Sequence, residues 1–295
     1  MTERPPVCSY EGSDYQDSFW DKGNRAYEDA AEATALRRLL PQRGKRMLEL
    51  GAGTGRNTLR YQDFKQIVLL DYSITQLEKA YKRLGVKNRY RYVAADIYRL
   101  PFMPGSFDCA TMIRTLHHMV NPSLALSQVH ESLIRKAVFI LEYANKRNLK
   151  AILRYWMKKQ EWNPFTLEPV EFVPLNFDFH PRAVKEWLTQ CQFSIEKQLT
   201  VSHFRLGFLK EHVSHKFLAQ LDALLQPTGQ LFQYSPSVFL RAHAEGELPI
   251  ELQDSIFKCP NCGHGPLEDT PPQLKCPRCR KIYPVTSGIY DFRVK

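Results

Sequence analysis

The 295-residue chain has no apolar run approaching the ~18 residues that would cross a membrane as a helix. Its opening residues, Met1 to Cys8, hold Glu3, Arg4, Pro5 and Pro6 where a secretory leader would need a basic and then an apolar stretch. Both absences lead to the expectation of a cytoplasmic protein. In that compartment the seven cysteines are reduced thiols or metal ligands, not a disulfide framework. No internal repeat and no low-complexity tract is visible. Hydrophobic residues at 43% and charged residues at 24% exclude a wholly disordered or fibrous chain. The length suits one large α/β domain with a small appendage, or two modest domains.

Acidic residues are missing between Tyr143 and Gln160, where six bases stand: Lys146, Arg147, Lys150, Arg154, Lys158 and Lys159. Lys258 to Lys295 carries seven bases against Glu268, Asp269 and Asp291. These two segments account for the whole formal charge of +10, so an acidic partner is expected to meet one of them.

Residues 1–24 are polar and aromatic without a clear period, and are read as a lid segment in which Tyr15, Phe19, Trp20 and, just beyond, Tyr27 fold over a ligand, the alternative being simple packing on the sheet edge. From Arg25, the residues Ala30, Ala33, Leu36, Leu39 and Leu40 recur at helical spacing up to Pro41. Five short apolar runs follow: Met47–Leu50, Ile67–Leu70, Tyr92–Ala95, Cys109–Ile113 and Val138–Leu141. Segments of helical pattern lie between them, such as Ile74–Leu84 and Ser123–Leu133. This alternation predicts βαβ units and an α/β, doubly wound sheet covered on both faces. After Leu141, Lys146–Gln160 reads as an amphipathic helix, and the proline-rich Asn163–Pro181 as a long loop. A helix fits Pro181–Cys191, and strands fit Ser194–Val201 and Ser237–Ala242. The division expected is a domain over 25–243 with an acceptor-recognition insertion at 145–181, a linker at 244–257 and a small cysteine domain at 258–295.

Glu49-Leu50-Gly51-Ala52-Gly53-Thr54-Gly55 follows the first strand and is expected to open a helix, whose unpaired N–H groups suit an anionic group. A dinucleotide fingerprint would need glycine where Arg56 stands. Asp71 ends the second strand, 20 residues after Gly51, where a carboxylate can accept both hydroxyl protons of a ribose. Asp96 ends the third strand, placed to accept from an adenine amino group. Asp108 reads as a strand-start residue.

The order of glycine turn, acid after strand two and acid after strand three resembles class I S-adenosylmethionine-dependent methyltransferases. Phe107-Asp108, Arg114-Thr115-Leu116-His117-His118 and Asn121-Pro122 resemble the type-11 group, which includes ubiquinone and menaquinone biosynthesis enzymes. The resemblance covers roughly 25–242. It implies a seven-stranded methyltransferase sheet in the order 3-2-1-4-5-7-6, with strand seven antiparallel. It implies that Glu49, Gly51, Ala52, Gly53 and Gly55 hold the methionine end of the cofactor, that Asp71 and Tyr72 hold the ribose, and that Asp96 and Ile97 hold the adenine, with Arg114 beside them. One departure stands out, since Arg135-Lys136 replaces the glycine turn expected before strand five.

A cofactor with an electrophilic methyl needs mainly alignment, and an acceptor amine, phenol or carbon also needs a base. His117 and His118, just past strand four, are the candidate catalytic bases, with Glu142 and Tyr143 behind them. The alternative for the histidines is packing and capping. Phe172, Phe177 and Phe179 are expected to line an apolar acceptor pocket.

Cys259-Pro-Asn-Cys262 and Cys276-Pro-Arg-Cys279 form two pairs with 13 residues between, a pattern that closes a tetrahedral structural Zn2+ site. His264 reads as solvent-facing, and Cys109 and Cys191 as buried apolar residues. Gly265-Pro266-Leu267 and the tail Ile282–Phe292 make this segment similar to the small zinc-ribbon family that activates tRNA, rRNA and protein methyltransferases as a separate subunit. That resemblance implies stabilisation by sheet-edge pairing, or acceptor docking, and no catalytic role.

Three functions fit. The preferred one is methyl transfer to a small-molecule acceptor, lipid- or quinone-like, with Lys146–Lys159 near an anionic membrane surface. The second is an RNA methyltransferase (rRNA or tRNA) that docks through the basic segments and ribbon, a reading drawn from the +10 charge and from the resemblance to large-ribosomal-RNA methyltransferases, which also pair a zinc ribbon with this catalytic fold. No Asn-Pro-Pro-Tyr-type motif and no catalytic cysteine pattern supports it. The third is a non-catalytic scaffold.

Overall fold

The computed structural model describes residues 5–13, 25–85 and 87–293. Tyr15, Phe19 and Trp20 of the expected lid lie outside the described residues. Helix α1 (Ala26–Leu39) leads to strand β1 (Gly44–Leu50), β2 (Phe64–Asp71), α2 (Ile74–Leu84), β3 (Tyr90–Ala94), β4 (Phe107–Met112), α3 (Pro122–Ser132) and β5 (Leu133–Ala144). Then come α4 (Leu149–Trp156), the hairpin β6 (Val170–Val173) and β7 (Asn176–Asp178), α5 (Pro181–Gln190), β8 (Phe193–Val201), α6 (Gly207–His212), α7 (His215–Leu225) and β9 (Ser237–Ala244). The C-terminal segment adds β10 (Gln273–Lys275), β11 (Ile282–Thr286) and β12 (Ile289–Asp291). Among the described residues no helix is long and apolar enough to cross a membrane.

The local chemistry explains where the helices begin. Ser73, Asn121, Asn148 and Ser214 each accept a hydrogen bond from a backbone N–H one turn on, capping α2, α3, α4 and α7. Pro122 and Pro181 open α3 and α5, where a missing N–H costs nothing.

The main sheet has ten strands, in the order β10-β11-β12-β3-β2-β1-β4-β5-β9-β8. Strands β1 to β5 pair in parallel, and β9 lies antiparallel between β5 and β8. The expectation of seven strands is therefore corrected. Three more come from the C-terminal segment, because β12 pairs in parallel with the free edge of β3, Ile289 opposite Tyr92 and Asp291 opposite Ala94.

Successive strand residues point to opposite faces, and each face is buried. Leu48, Val68, Val93, Ala110 and Phe139 face one core with Val129 of α3 and Leu188 of α5. Met47, Ile67, Tyr92, Cys109 and Ile140 face the other with Ala35 of α1, Leu77 of α2 and Leu218 of α7. Phe257, Cys259, Leu274, Cys276, Tyr283 and Phe292 belong to the first core, so the cysteine segment shares apolar burial with the sheet. The 244–257 stretch expected as a linker is itself fastened: Arg135 and Gln253 N–H donate to Pro249 and Gly105 carbonyls, and Met103 N–H donates to Ile256.

Several sequence expectations are corrected. The glycine turn does not open an α-helix. Only eight residues separate Gly55 from Phe64, and they form a three-residue 3-10 turn at Thr58–Arg60. Arg135 and Lys136 lie inside β5, not before it, and Lys136 takes the positive φ of 65° that a glycine would favour. Residues 163–181 are not a bare loop but carry β6 and β7, turned by Pro174 and Leu175, with Glu171 accepting from Leu175 N–H. Helices α6 and α7 were not foreseen. Tyr27 is no lid residue: it is buried in α1 and donates its hydroxyl proton to Asp222 at 2.9 Å. Cys191 is only partly buried.

Candidate cofactor site and metal centre

Parallel strands β1 to β4 deliver their carboxyl ends to one edge, where chain reversals leave a crevice. A cavity there is lined by Glu49, the turn Gly51–Thr54, Asp71, Tyr72, Asp96, Ile97, Arg114 and His118. Gly51 sits at φ 66°, and a Cβ on it would meet Thr115 Oγ1 at 2.1 Å. Only glycine lets the turn pass under the loop after β4. Gly55 lies behind the turn, against Leu84 and Thr58, outside the cavity wall.

The carboxylates are held by backbone. Asp71 accepts from Gly53 N–H at 2.8 Å and from Ser73 N–H at 2.9 Å, which fixes it between the glycine turn and α2. Burial raises its pKa, and these N–H groups pull against that rise. Asp96 is buried and accepts from Tyr98 N–H at 2.9 Å. Burial pushes Glu49 up to about 7, while Thr58 donates its hydroxyl proton to it at 2.6 Å. Asp108 is at the opposite edge, accepting from Lys45 and Arg46 N–H.

Arg114 lines the cavity with its backbone in the left-handed region, φ 54°, and its N–H donates to Glu142 at 2.9 Å. Its guanidinium is engaged by Glu32, which Arg56 also pairs. Burial alone would raise the Glu32 carboxyl, yet Arg114 and Arg56 hold it down at about 2. Arg114 thus ties α1 to the loop after β4. Glu142 also accepts from Ser237 Oγ, Tyr143 is buried with its pKa raised, and neither lines the cavity.

The two histidines separate. His118 reaches the cavity; His117 does not, though its ring lies 4.1 Å from His118 between centroids. Burial lowers both pKa values, so both rings are neutral near pH 7. His118 Nδ1 lies 3.0 Å from the Leu175 carbonyl and must donate to it, which leaves Nε2 to accept from the Tyr10 hydroxyl at 3.1 Å. Val7, Cys8 and Tyr10 close the cavity and were missed, because the leader has no periodic signal.

None of Phe172, Phe177 and Phe179 lines this cavity. Phe179 is buried against Trp187 of α5, and Phe172 is exposed against Trp162. Beyond His117, Asp178 is pushed up to about 7 by burial and by Glu142. Arg205, four residues past β8, has Nε and one terminal nitrogen buried without a hydrogen-bond partner, with Glu28 at 4.0 Å.

At the other side of β3, the Sγ atoms of Cys259, Cys262, Cys276 and Cys279 all lie within 4.8 Å of one another. Cys259–Cys279 and Cys262–Cys276 are 3.5 and 3.6 Å apart. A tetrahedron of thiolates ~2.3 Å from zinc has edges of about 3.8 Å, so the four thiols fit that ion. Tyr283 Oη lies 3.0 Å from Cys259 Sγ and Cys279 N–H donates to Cys276 Sγ, supporting the thiolates from behind. His264 contributes through its backbone, its carbonyl accepting from Cys259 N–H and its own N–H supporting Cys262.

Residues 48–141 match the family model described as a methyltransferase domain. The chain is 30% identical over 116 residues to 27-O-demethylrifamycin SV methyltransferase of Amycolatopsis mediterranei, covering 37% of this chain and 43% of that one. It is 34% identical over 94 residues to demethylmenaquinone methyltransferase of Clavibacter sepedonicus, covering 32% and 38%. The chain thus spans less than half the length of these curated relatives. Its structure aligns with a chain of the complex between the Haloferax volcanii Trm112 methyltransferase activator and the putative methyltransferase, with TM-score 0.55 and 14% identity over 79% of this chain and 96% of that one. That likeness shows a shared α/β methyltransferase fold.

Proposed function

We propose that this chain is an S-adenosylmethionine-dependent methyltransferase acting on a small apolar acceptor of quinone or aromatic type, with a structural zinc in its C-terminal ribbon. The observation that carries the reading is the convergence of Glu49, Asp71 and Asp96 with the Gly51–Thr54 turn on one cavity at the carboxyl edge. When bound, S-adenosylmethionine supplies an electrophilic methyl on a sulfonium. Asp71 takes the ribose hydroxyls, Asp96 and Ile97 the adenine, and Glu49 with the glycine turn the methionine end. His118 Nε2, backed by the Leu175 carbonyl, draws a proton through the Tyr10 hydroxyl from an acceptor at that wall. Relatives named for rifamycin and menaquinone methylation favour an aromatic acceptor.

The test is methyl transfer from labelled cofactor to lipid extract and to total RNA. Label in the lipid or small-molecule fraction supports the reading, label confined to RNA overturns the acceptor class, and absence of cofactor binding by calorimetry returns the chain to a scaffold.

Glu49 adds a pH dependence. With its folded pKa near 7, it is largely protonated at pH 6, and a cationic methionine amine requires the carboxylate. Cofactor affinity is therefore expected to rise between pH 6 and pH 8, by up to about tenfold, at ~1.4 kcal/mol per pK unit. Calorimetric titration across that range checks this, and Glu49→Gln should flatten the profile.

A further inference from the structure

Helix α4 buries only Ala151 and Ile152. Leu149, Leu153, Trp156 and Met157 stand 55%, 44%, 66% and 54% exposed. Single exposed apolar residues need no account, but these continue into neighbouring segments. Leu149 N–H donates to the Tyr234 carbonyl, the Arg147 guanidinium lies over the Tyr234 ring, and Phe232 stacks on Tyr234 at 6.0 Å. Leu231 and Phe232 are 76% and 57% exposed. On the other flank Tyr155 meets the exposed Phe165 at 6.2 Å. One apolar face is thus assembled from α4, the 231–234 loop and the stretch after α4.

Its border is cationic. Lys150, Arg154, Lys158 and Lys159 are exposed, Arg147 is half-buried over Tyr234, and no acid occurs between 144 and 160. Lys146 is turned inward, donating to the Glu168 carbonyl and Thr166. The acids that follow before α5 are Glu161, Glu168, Glu171 and the partly buried Asp178, against five bases at the border.

We propose that this face docks on the surface of a bilayer containing anionic lipids. A basic rim around an apolar, aromatic-bearing face is the pattern that lies in such an interface: the rings and leucines enter the headgroup boundary while cationic ends meet phosphate. A second copy is disfavoured, since two-fold pairing would set the same cations against each other across a dry contact. The face lies on the same edge of the sheet as the cavity described above. It leaves β5 at the sheet's carboxyl edge, and the hairpin beside it supplies the Leu175 carbonyl that holds His118. Adsorption does not depend on methyl transfer; together with the reading above, it brings a membrane-dissolved acceptor to the cavity at the bilayer surface.

The experiment is co-sedimentation of the full, zinc-loaded chain with sucrose-filled vesicles of phosphatidylcholine, alone or mixed in roughly equal parts with phosphatidylglycerol. Binding to the anionic vesicles should exceed binding to the neutral ones at least about tenfold and should weaken at high salt. Lys150→Glu/Arg154→Glu and, separately, Leu153→Ser/Trp156→Ser should each lower anionic binding by a similar factor. Both pairs change exposed side chains, so melting temperature and cofactor affinity should stay at the parent values, which separates this idea from the methyltransferase reading. Equal binding to both vesicle types, or binding that survives both variants, overturns the proposal. So does a dimer in light scattering that Leu153→Ser/Trp156→Ser dissolves, with no vesicle binding.

Discussion

Asp71→Asn is expected to weaken S-adenosylmethionine binding by about 10²–10⁴-fold. In the proposed site the carboxylate would offer charge-assisted acceptors to two ribose hydroxyls, each worth ~1.5–3 kcal/mol, and ~1.4 kcal/mol corresponds to a factor of ten. The amide keeps the shape and one acceptor oxygen, so part of the contact with Gly53 and Ser73 N–H survives and the turn stays in place. Asp108→Asn is the control: it also loses a backbone-bound carboxylate, but at the far edge of the sheet, so affinity should hold. Isothermal titration decides the matter, and equal affinities for Asp71→Asn and the parent would sink the cofactor reading.

Stripping the proposed zinc should have the second large effect. Cys259 and Cys276 are fully buried beside Phe257, Tyr283 and Phe292, in the same core as β3 and β4. Without zinc the four thiols lose the bonds that hold the ribbon closed, and β12 loses its support on β3. A loss of ~3–5 kcal/mol would lower the melting temperature of a chain this size by about 5–8 °C. Cofactor affinity should fall as well, through a chain of contacts that begins at β12. Arg293, pinned by Asp291, lies over the Tyr72 ring and pairs with Glu11. Glu11 in turn accepts from the Ile74 and Thr75 N–H groups at the start of α2, next to Asp71. Scanning calorimetry with and without chelator, alongside metal analysis, reads both consequences; an unchanged melting temperature in zinc-free protein would count against a structural metal.

Much of the central sheet was legible because buried parallel strands read as largely apolar runs: β1, β2 and β5 contain the runs expected of them, and β4 contains all but Ile113 of its run. The position of Asp71 was legible for the same reason, since a strand's end can be placed when its apolar run stops; Asp96, expected at the end of β3, lies two residues beyond it and caps the 3-10 turn Ile97–Arg99. What failed was local. The residues after Gly55 carry no periodicity error; there was simply too little chain before β2 for an α-helix. Arg135 and Lys136 gave no hint that a lysine would accept a left-handed backbone inside β5. The aromatic residues of 163–181 looked alike in sequence, yet Phe179 went into the core and Phe172 to the surface, a choice made by α5 and Trp187. The contribution of Tyr10 depended on a leader fastened by Glu11 and Gln76, contacts separated by more than 60 residues, which no short-range pattern records.

Parallel pairing between β12 and β3 also settles a matter of supply. A cover that arrives on a separate chain must be synthesised in step with its catalyst, and dilution strips it away. Here the two travel on one polypeptide, so local concentration is set by the intervening backbone and stays in the ~mM range however dilute the cell extract. The flank of β3 is already taken, and a free-standing ribbon protein would find no vacant strand there to dock against.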